Sequence, residues 1–375
     1  MTDGTPDDDH NSELRIGPSL LLAVAVGALF FYLATRAVPV DAVTEYLRGA
    51  DWRQLAVASA AFTAVYAVCH GARVLRWYYL VRPLGDVESG VVHRVCTVGF
   101  TAILLFPFRL GELVRPFLLA RRTGNVSGAG ALATVVVERV IDGLIITGLL
   151  FVGLWTYSGD ASTELVRTVG TVAAAIFVPA VVLCIIAYYS RQRARRLVEA
   201  TVGHLSTGLA DWIANLVVQF AQGFQAMTRR GDLIRFLAMT ALYWGANVVS
   251  MWLLLRLGFG LEVNPWQMVT VMSVLVVGLM VPAGPAMAGN FEYFMVQGMD
   301  LYVPVQSAGI GGAVGAYAAM VHLLQIAVIV VPGVWVMIRH RGLRLSRRTL
   351  EQSQNVGDDS ADFDGASEMD NNGLN

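Results

Sequence analysis

Eight stretches of this 375-residue chain are apolar enough to leave water, and their lengths constrain the fold more than any other feature. A helix needs roughly 20 apolar residues to cross the hydrocarbon core of a bilayer. Six runs reach that length: residues 17–35, 54–81, 131–156, 168–190, 236–257 and 309–338. Two fall short, VCTVGFTAILLFPF over 95–108 and MVTVMSVLVVGLMVP over 268–282, and each is broken by proline ahead of a glutamate. Apolar segments of that length suit re-entrant elements better than crossings. Hydrophobic residues make up 55% of the chain and charged ones 15%, more apolar than a soluble domain of this size can bury. The expected fold is an all-α polytopic integral membrane protein with about six full spans and two re-entrant broken helices.

The first run follows an acidic leader and has no clear small-residue cleavage site, so it reads as a retained span rather than a signal peptide. Asp3, Asp7, Asp8, Asp9 and Glu13 crowd the leader, and the tail from Glu351 holds seven carboxylates with no basic residue. Residues 1–15 and 341–375 are therefore expected to be a disordered acidic arm and a basic stop followed by a disordered acidic tail, on either side of a membrane domain over 16–340. All 27 basic residues are arginine. If 95–108 enters and leaves on one side, then Arg73, Arg76, Arg82, Arg94, Arg121, Arg122, the cluster 191–196, Arg229, Arg230 and the group 339–348 share one face. The positive-inside rule makes that face the cytoplasm, with both termini there and the chain in the cytoplasmic membrane. A full crossing at 95–108 would place the cluster 191–196 outside.

Leu209, Trp212, Ile213, Leu216, Val217, Phe220, Phe224 and Met227 recur at spacings of one, three and four, with Asp211, Asn215, Gln219 and Gln222 opposite. This predicts an amphipathic helix within 197–228, lying in the membrane interface or packed on the cytoplasmic ends of its neighbours. A shorter surface helix is expected over 40–52. The two broken elements, near 95–118 and 268–303, share the order apolar run, Pro, Gly, Glu, helix. Entering from opposite sides, they have the form of an inverted repeat, and paired Gly/Pro-broken segments point to a central transport site.

Charge placement singles out the candidate site. Irregular backbone at membrane depth needs protein or a water-filled cavity to satisfy it, and a charge at the bilayer centre costs ~2.5 to 3.5 kcal/mol on the lenient insertion scale. Arg109, Glu112 and Arg115 follow the first break at spacings of three, and their surplus positive charge suits an anionic ligand. The alternative is a cytoplasmic loop obeying the positive-inside rule. Glu138, Arg139 and Asp142 lie inside the span that begins near Ala131, where they form either a cavity-lining ion network or a purely structural one.

These residues resemble the motifs of the flippase-like transmembrane family of the lysylphosphatidylglycerol synthases, over roughly residues 15–340. The family's Arg-x-Gly-Glu-x-x-Arg-Pro stands here as Arg109, Gly111, Glu112, Arg115 and Pro116, followed by the basic turn Arg121, Arg122 and Gly124, and Glu-Arg-x-x-Asp as Glu138, Arg139 and Asp142. Its Pro-Pro-x-Pro-Gly-Gly-x-Gly-x-x-Glu stands as PAGPAMAGNFE, which keeps Pro282, Pro285, Gly289 and Glu292 but has Ala286 and Met287 where the family has paired glycines. The resemblance implies translocation of a lipid headgroup, with membrane lipids of anionic headgroup as partners. It implies no lipid synthesis, because the family's aminoacyl transfer resides in a separate soluble domain and nothing after Arg348 is long enough to hold one.

A search for chemistry finds no Walker loop, GxSxG, HExxH or CxxC. Cys69, Cys96 and Cys184 sit in apolar runs without metal-ligand spacing, so neither metal nor cofactor is expected, and nucleic-acid binding has no support. Among the histidines His322 alone is deep in a span, either a hydrogen-bonded core residue or a proton carrier. The expected function is a lipid flippase for an anionic or polyprenyl-phosphate-linked headgroup. Its rival is a non-catalytic membrane subunit that assists a lipid-linked glycosyltransferase or lipid synthase.

Overall fold

The structure, a computed structural model, describes residues 18–105, 111–157, 191–203, 230–281, 284–307 and 309–340, with scattered helical positions between 168 and 214. The described residues are helical, with no strand among them. In chain order the helices are α1 (Pro18–Ala37), α2 (Val40–Gly49), α3 (Trp52–Val81), α4 (Ser89–Leu105), α5 (Gly111–Thr123), α6 (Gly128–Trp155), α7 (Arg191–Val202), α8 (Arg230–Leu254), α9 (Pro265–Gly278), α10 (Asn290–Asp300) and α11 (Ile310–Arg339).

Local chemistry sets several of the boundaries. Pro39 stands at the 62° bend between α1 and α2. The Asp51 carboxylate starts α3 by accepting from the backbone N–H groups of Arg53 and Gln54, at 2.9 and 3.2 Å. Ser127 caps α6 through the Gly130 N–H. At α9, Asn264 and Gln267 bond each other's backbone N–H groups at 2.9 Å on either side of Pro265, a reciprocal cap with proline at the first helical position.

Among the described residues three helices are long and apolar enough to cross a membrane: 52–84, 231–259 and 310–339. The bent α1–α2 pair makes a fourth if it is one span. Helix α6, 28 residues or about 42 Å long, has Glu138, Arg139 and Asp142 at its middle. Most of the expected run 168–190 and of the amphipathic stretch, and all of the arm 1–15 and the tail 341–375, lie outside the described residues. Of the amphipathic stretch, Val198 in α7 packs with Ala210 and Ala214, and Arg195 lies 3.7 Å from Asp211.

The two short apolar segments form helical hairpins. A methyl group on Gly99 of α4 would overlap Arg115 of α5, and one on Gly111 would overlap the backbone of Ala102 and Ile103, so α4 and α5 run antiparallel in close contact. Gly278 and Gly298 meet Phe294 and Val271 in the same way, which makes α9 and α10 antiparallel. Around these hairpins, α3 lies antiparallel to α8, tied at one end by Gln54 Nε2 donating to Leu257 O and at the other by Arg82 with Asp232. Helix α1 packs on the second hairpin through Phe30 with Tyr293 and Phe294. Helix α11 bridges both hairpins: the Thr101 hydroxyl of α4 donates to Ile329 O, and His322 meets Glu292 of α10.

Candidate functional site

Between the hairpins lies a cavity of about 170 Å³. Its charged lining comes from Arg73 on α3, Glu112 on α5, and Arg139 and Asp142 on α6; Ala286, Met287, Phe291 and His322 close the opposite side.

Behind the charged wall the arginines and carboxylates interlock. The Arg76 guanidinium grips Asp142 with two hydrogen bonds, Nη1 to Oδ1 at 2.6 Å and Nη2 to Oδ2 at 2.7 Å, and Nη2 also donates to Glu138 Oε1 at 2.6 Å. Arg115 Nη1 donates to Glu138 Oε2 at 3.0 Å, and Arg139 Nη2 to Glu138 Oε1 at 3.1 Å. Arg139 also stands 3.8 Å from Glu112 and 3.7 Å from Asp142. Arg76, Arg115 and Glu138 are fully buried, whereas Arg139 and Glu112 keep part of their side chains open to the cavity. Burying such charges is tolerable only because each is paired and bonded.

Aromatic rings complete the packing. Phe100 lies 3.9 Å from the Arg73 guanidinium and 4.6 Å from that of Arg115; Trp77 lies 5.2 Å from Arg115 and Tyr243 4.5 Å from Arg76. The absence of a side chain at Gly99 gives the Arg115 stem its room.

Counting charge separates Arg73 from the rest. Three arginines (Arg76, Arg115, Arg139) face three carboxylates (Glu112, Glu138, Asp142). Arg73 adds a fourth cation that has no carboxylate partner among the described residues and lies over the Phe100 ring. Among the described residues, the cavity wall therefore presents one guanidinium that faces aromatic rings and no carboxylate partner.

The second wall is built differently. His322 Nδ1 lies 2.6 Å from Glu292 Oε1 and its Nε2 2.8 Å from Ala286 O, while the ring stacks on Phe291 at 4.2 Å. The other oxygen of Glu292 accepts from the Gly289 N–H at 2.8 Å. Gly289 has φ +80°, and a methyl group there would strike the Phe31 backbone of α1. Ala286 and Met287 also take positive φ, 56° and 58°. A left-handed conformation costs a residue with a side chain about 1–2 kcal/mol. The chain thus keeps a glycine-like backbone at the two positions where its sequence has no glycine.

Of the residues singled out by sequence, Glu112, Arg115, Glu138, Arg139 and Asp142 come together in one cluster. Gly111 forms the close crossing of α5 with α4, Pro116 lies buried in α5, and Pro285, Gly289 and Glu292 belong to the opposite wall. Arg109 and Pro282 lie outside the described residues. Arg115 stands behind the cavity lining, not in it. The sequence places Arg73 and Arg76 among the arginines of one membrane face; in the structure both turn inward from the last turns of α3, Arg76 to complete burial. The one signal for them was their spacing of three within an otherwise apolar helix, ahead of Trp77. His322 as the partner of Glu292, 30 residues away, had no signal in the local pattern.

Known proteins agree with the membrane architecture. The family described as "Lysylphosphatidylglycerol synthase TM region" matches residues 20–333. Glycosyltransferase AglD of Haloferax volcanii is 29% identical over 327 residues, covering 80% of this chain and 51% of that protein. The chain thus spans about half the length of this curated relative. No solved structure matches it.

Proposed function

The chain belongs to the family of the lysylphosphatidylglycerol synthase transmembrane region, a multi-pass membrane protein, and from that premise we propose that it translocates the anionic headgroup of a membrane lipid. The observation that carries the reading is the Arg73 guanidinium on the cavity wall, which has no carboxylate partner among the described residues. A lone cation at membrane depth is costly, and a phosphodiester entering the cavity supplies the missing charge, bound through the guanidinium fork.

In this reading the two hairpins are the re-entrant elements of an inverted repeat within about six spans, and both termini are cytoplasmic. The stretch within 197–228 lies along the cytoplasmic interface. Arg73 and Arg139 contact the phosphate, with Arg109 at the mouth of the first hairpin. Glu112 orients Arg139, and Arg115 acts from behind through Glu138. Gly111 and Pro116 fix the hairpin that carries these groups. Pro282, Pro285, Gly289 and Glu292 form the opposite gate. At about 170 Å³ the cavity is smaller than the ~300–1,000 Å³ of an ordinary ligand pocket, a size that admits a phosphate group and excludes a whole headgroup until the hairpins part.

Proteoliposomes containing the full chain and either a labelled anionic phospholipid or a labelled polyprenyl-phosphate sugar test the reading. Headgroup movement is expected with the native protein and lost in Arg73→Gln and Glu112→Gln proteins that stay folded. A folded native protein that moves neither lipid overturns it.

The name of the Haloferax volcanii relative favours a second reading, in which the chain is the membrane subunit of a lipid-linked glycosyltransferase. Copurification with a glycosyltransferase, together with no movement of either lipid by the chain alone, would support it.

A further inference from the structure

The His322 ring is placed between two acceptors. Glu292 Oε1 lies 2.6 Å from Nδ1 and the Ala286 carbonyl 2.8 Å from Nε2. A carbonyl oxygen only accepts, and the second carboxylate oxygen already accepts from Gly289 N–H. Both contacts therefore need a proton. Either the ring carries two, or the carboxyl donates one to Nδ1; the pair holds the same total in both cases.

We propose that His322 and Glu292 form a proton-binding site that operates the second hairpin as a gate on the cavity. With the proton bound, His322 on α11 clamps two points of the hairpin: the start of α10 through Glu292, and the left-handed Ala286–Met287 turn through the Ala286 carbonyl. With it gone, one of the two pairings becomes lone pair against lone pair. The remaining ring proton stays on Nδ1, facing the carboxylate, so the Ala286 carbonyl is left without a donor. The strained turn, still packed on α1 and α4, then loses the hydrogen bond that ties it to α11. Proton loss also leaves the pair with a net negative charge at membrane depth, which hydration from an opened cavity offsets.

His322, Ala286 and Met287 all line the cavity, so the proton and the clamped turn share one water-accessible space. The other titratable or charged groups lining that space are Tyr66 and Arg73 on α3, Glu112 on α5, Arg139 and Asp142 on α6, and Tyr243 on α8. Neither α4 nor α9 adds one among the described residues. Arg139 and Asp142 pair within the first wall, which leaves His322 as the cavity group bonded to the moving turn. This goes beyond headgroup transport: it assigns the protein a proton-driven conformational step that operates with any cargo or none.

The test is electron paramagnetic resonance of a nitroxide at Met287→Cys, in the full chain with Cys69, Cys96 and Cys184 replaced, reconstituted without added cargo. Spectra are followed across about pH 4 to 10. The label is expected to be immobilised at low pH and to become mobile as pH rises, through a single-proton transition. His322→Gln, which cannot titrate, is expected to give a spectrum that does not change with pH. Glu292→Gln, which removes the anion that favours the protonated ring, is expected to move the midpoint down by about one pH unit or more. A flat response with His322 present overturns the proposal, as does an unchanged transition in His322→Gln. If His322→Gln does not fold, an unshifted midpoint in Glu292→Gln overturns it alone. No lipid movement is read here, so the gate and the headgroup reading fail independently.

Discussion

Around the first hairpin six charged side chains neutralise one another in and behind the cavity wall, whereas the second is tied by one carboxylate, one histidine and a turn with two residues at positive φ. Both hairpins are antiparallel pairs of short helices made possible by glycines at their crossings. What differs is how firmly each is held. A buried ion cluster adds little net stability, yet it penalises the loss of any member heavily because a charge is stranded. A strained turn clamped by one histidine needs little to release it. The first hairpin is thus suited to be the fixed wall and the second the moving one.

Removing Glu138 is the most severe way to probe this contrast, because Arg76, Arg115 and Arg139 all bond to it. Glu138→Leu is expected to lower the unfolding free energy by about 3–5 kcal/mol, the cost of stranding buried charge. Glu292→Leu is expected to cost less, since its side-chain partner among the described residues is a histidine, which has a neutral form, where Glu138 faces three arginines. Chemical unfolding in detergent, followed by circular dichroism, compares the two; equal losses would erase the distinction between a fixed and a moving wall.

Next in size are the crossings. A methyl group at Gly111 meets the α4 backbone, while one at Gly278 meets the Phe294 ring, which can tilt. Overpacking costs about 1–3 kcal/mol, so Gly111→Ala should fall at the upper end and Gly278→Ala at the lower. Thermal melts of the two proteins measure the difference, and a larger loss at Gly278 would mean that the second hairpin is the stiffer.

How far the sequence foretells this contrast depends on whether a signal is local. Apolar length locates α1, α3, α6, α8 and α11, and Glu112, Arg115, Glu138, Arg139 and Asp142 stand out because charge inside an apolar run is expensive. Arg73 and Arg76 do not stand out, since an arginine near the end of a span has the same pattern whether it turns toward headgroups or into the bundle. Burial direction is decided by a helix 60 residues away, where Glu138 and Asp142 wait. The Glu292–His322 contact is likewise non-local. The substitution of Ala286 and Met287 for paired glycines is visible in sequence as a departure, but only the backbone shows that the glycine conformation survives it.

That survival gives a smaller, opposite prediction. Met287→Gly should stabilise the second hairpin by about 0.5–1 kcal/mol, because relief of the left-handed strain exceeds the extra entropy glycine loses on folding. A raised melting temperature is the expected result. A lowered one would mean that packing of the Met287 side chain outweighs the strain, and that the turn is less ready to move than the comparison requires.

The smallest expected change in stability is at Arg73, one helical turn before Arg76 and opposite to it in role. Arg76→Gln removes the two-point partner of Asp142, leaves the cluster's three carboxylates facing two arginines, and belongs with the severe losses. Arg73→Gln strands no carboxylate among the described residues; it removes a guanidinium over the Phe100 ring, worth about 0.5–2 kcal/mol, and relieves a cation that has no carboxylate partner among them. The two effects oppose, so unfolding should shift by less than about 1 kcal/mol. Binding should not follow stability: a nitroxide- or fluorophore-labelled anionic phospholipid is expected to lose affinity for the Arg73→Gln protein by more than about tenfold, since a charge-assisted hydrogen bond is worth about 1.5–3 kcal/mol. A variant that is stable and still binds the lipid would make Arg73 a packing residue, and the cavity wall would then carry no surplus charge for a headgroup to meet.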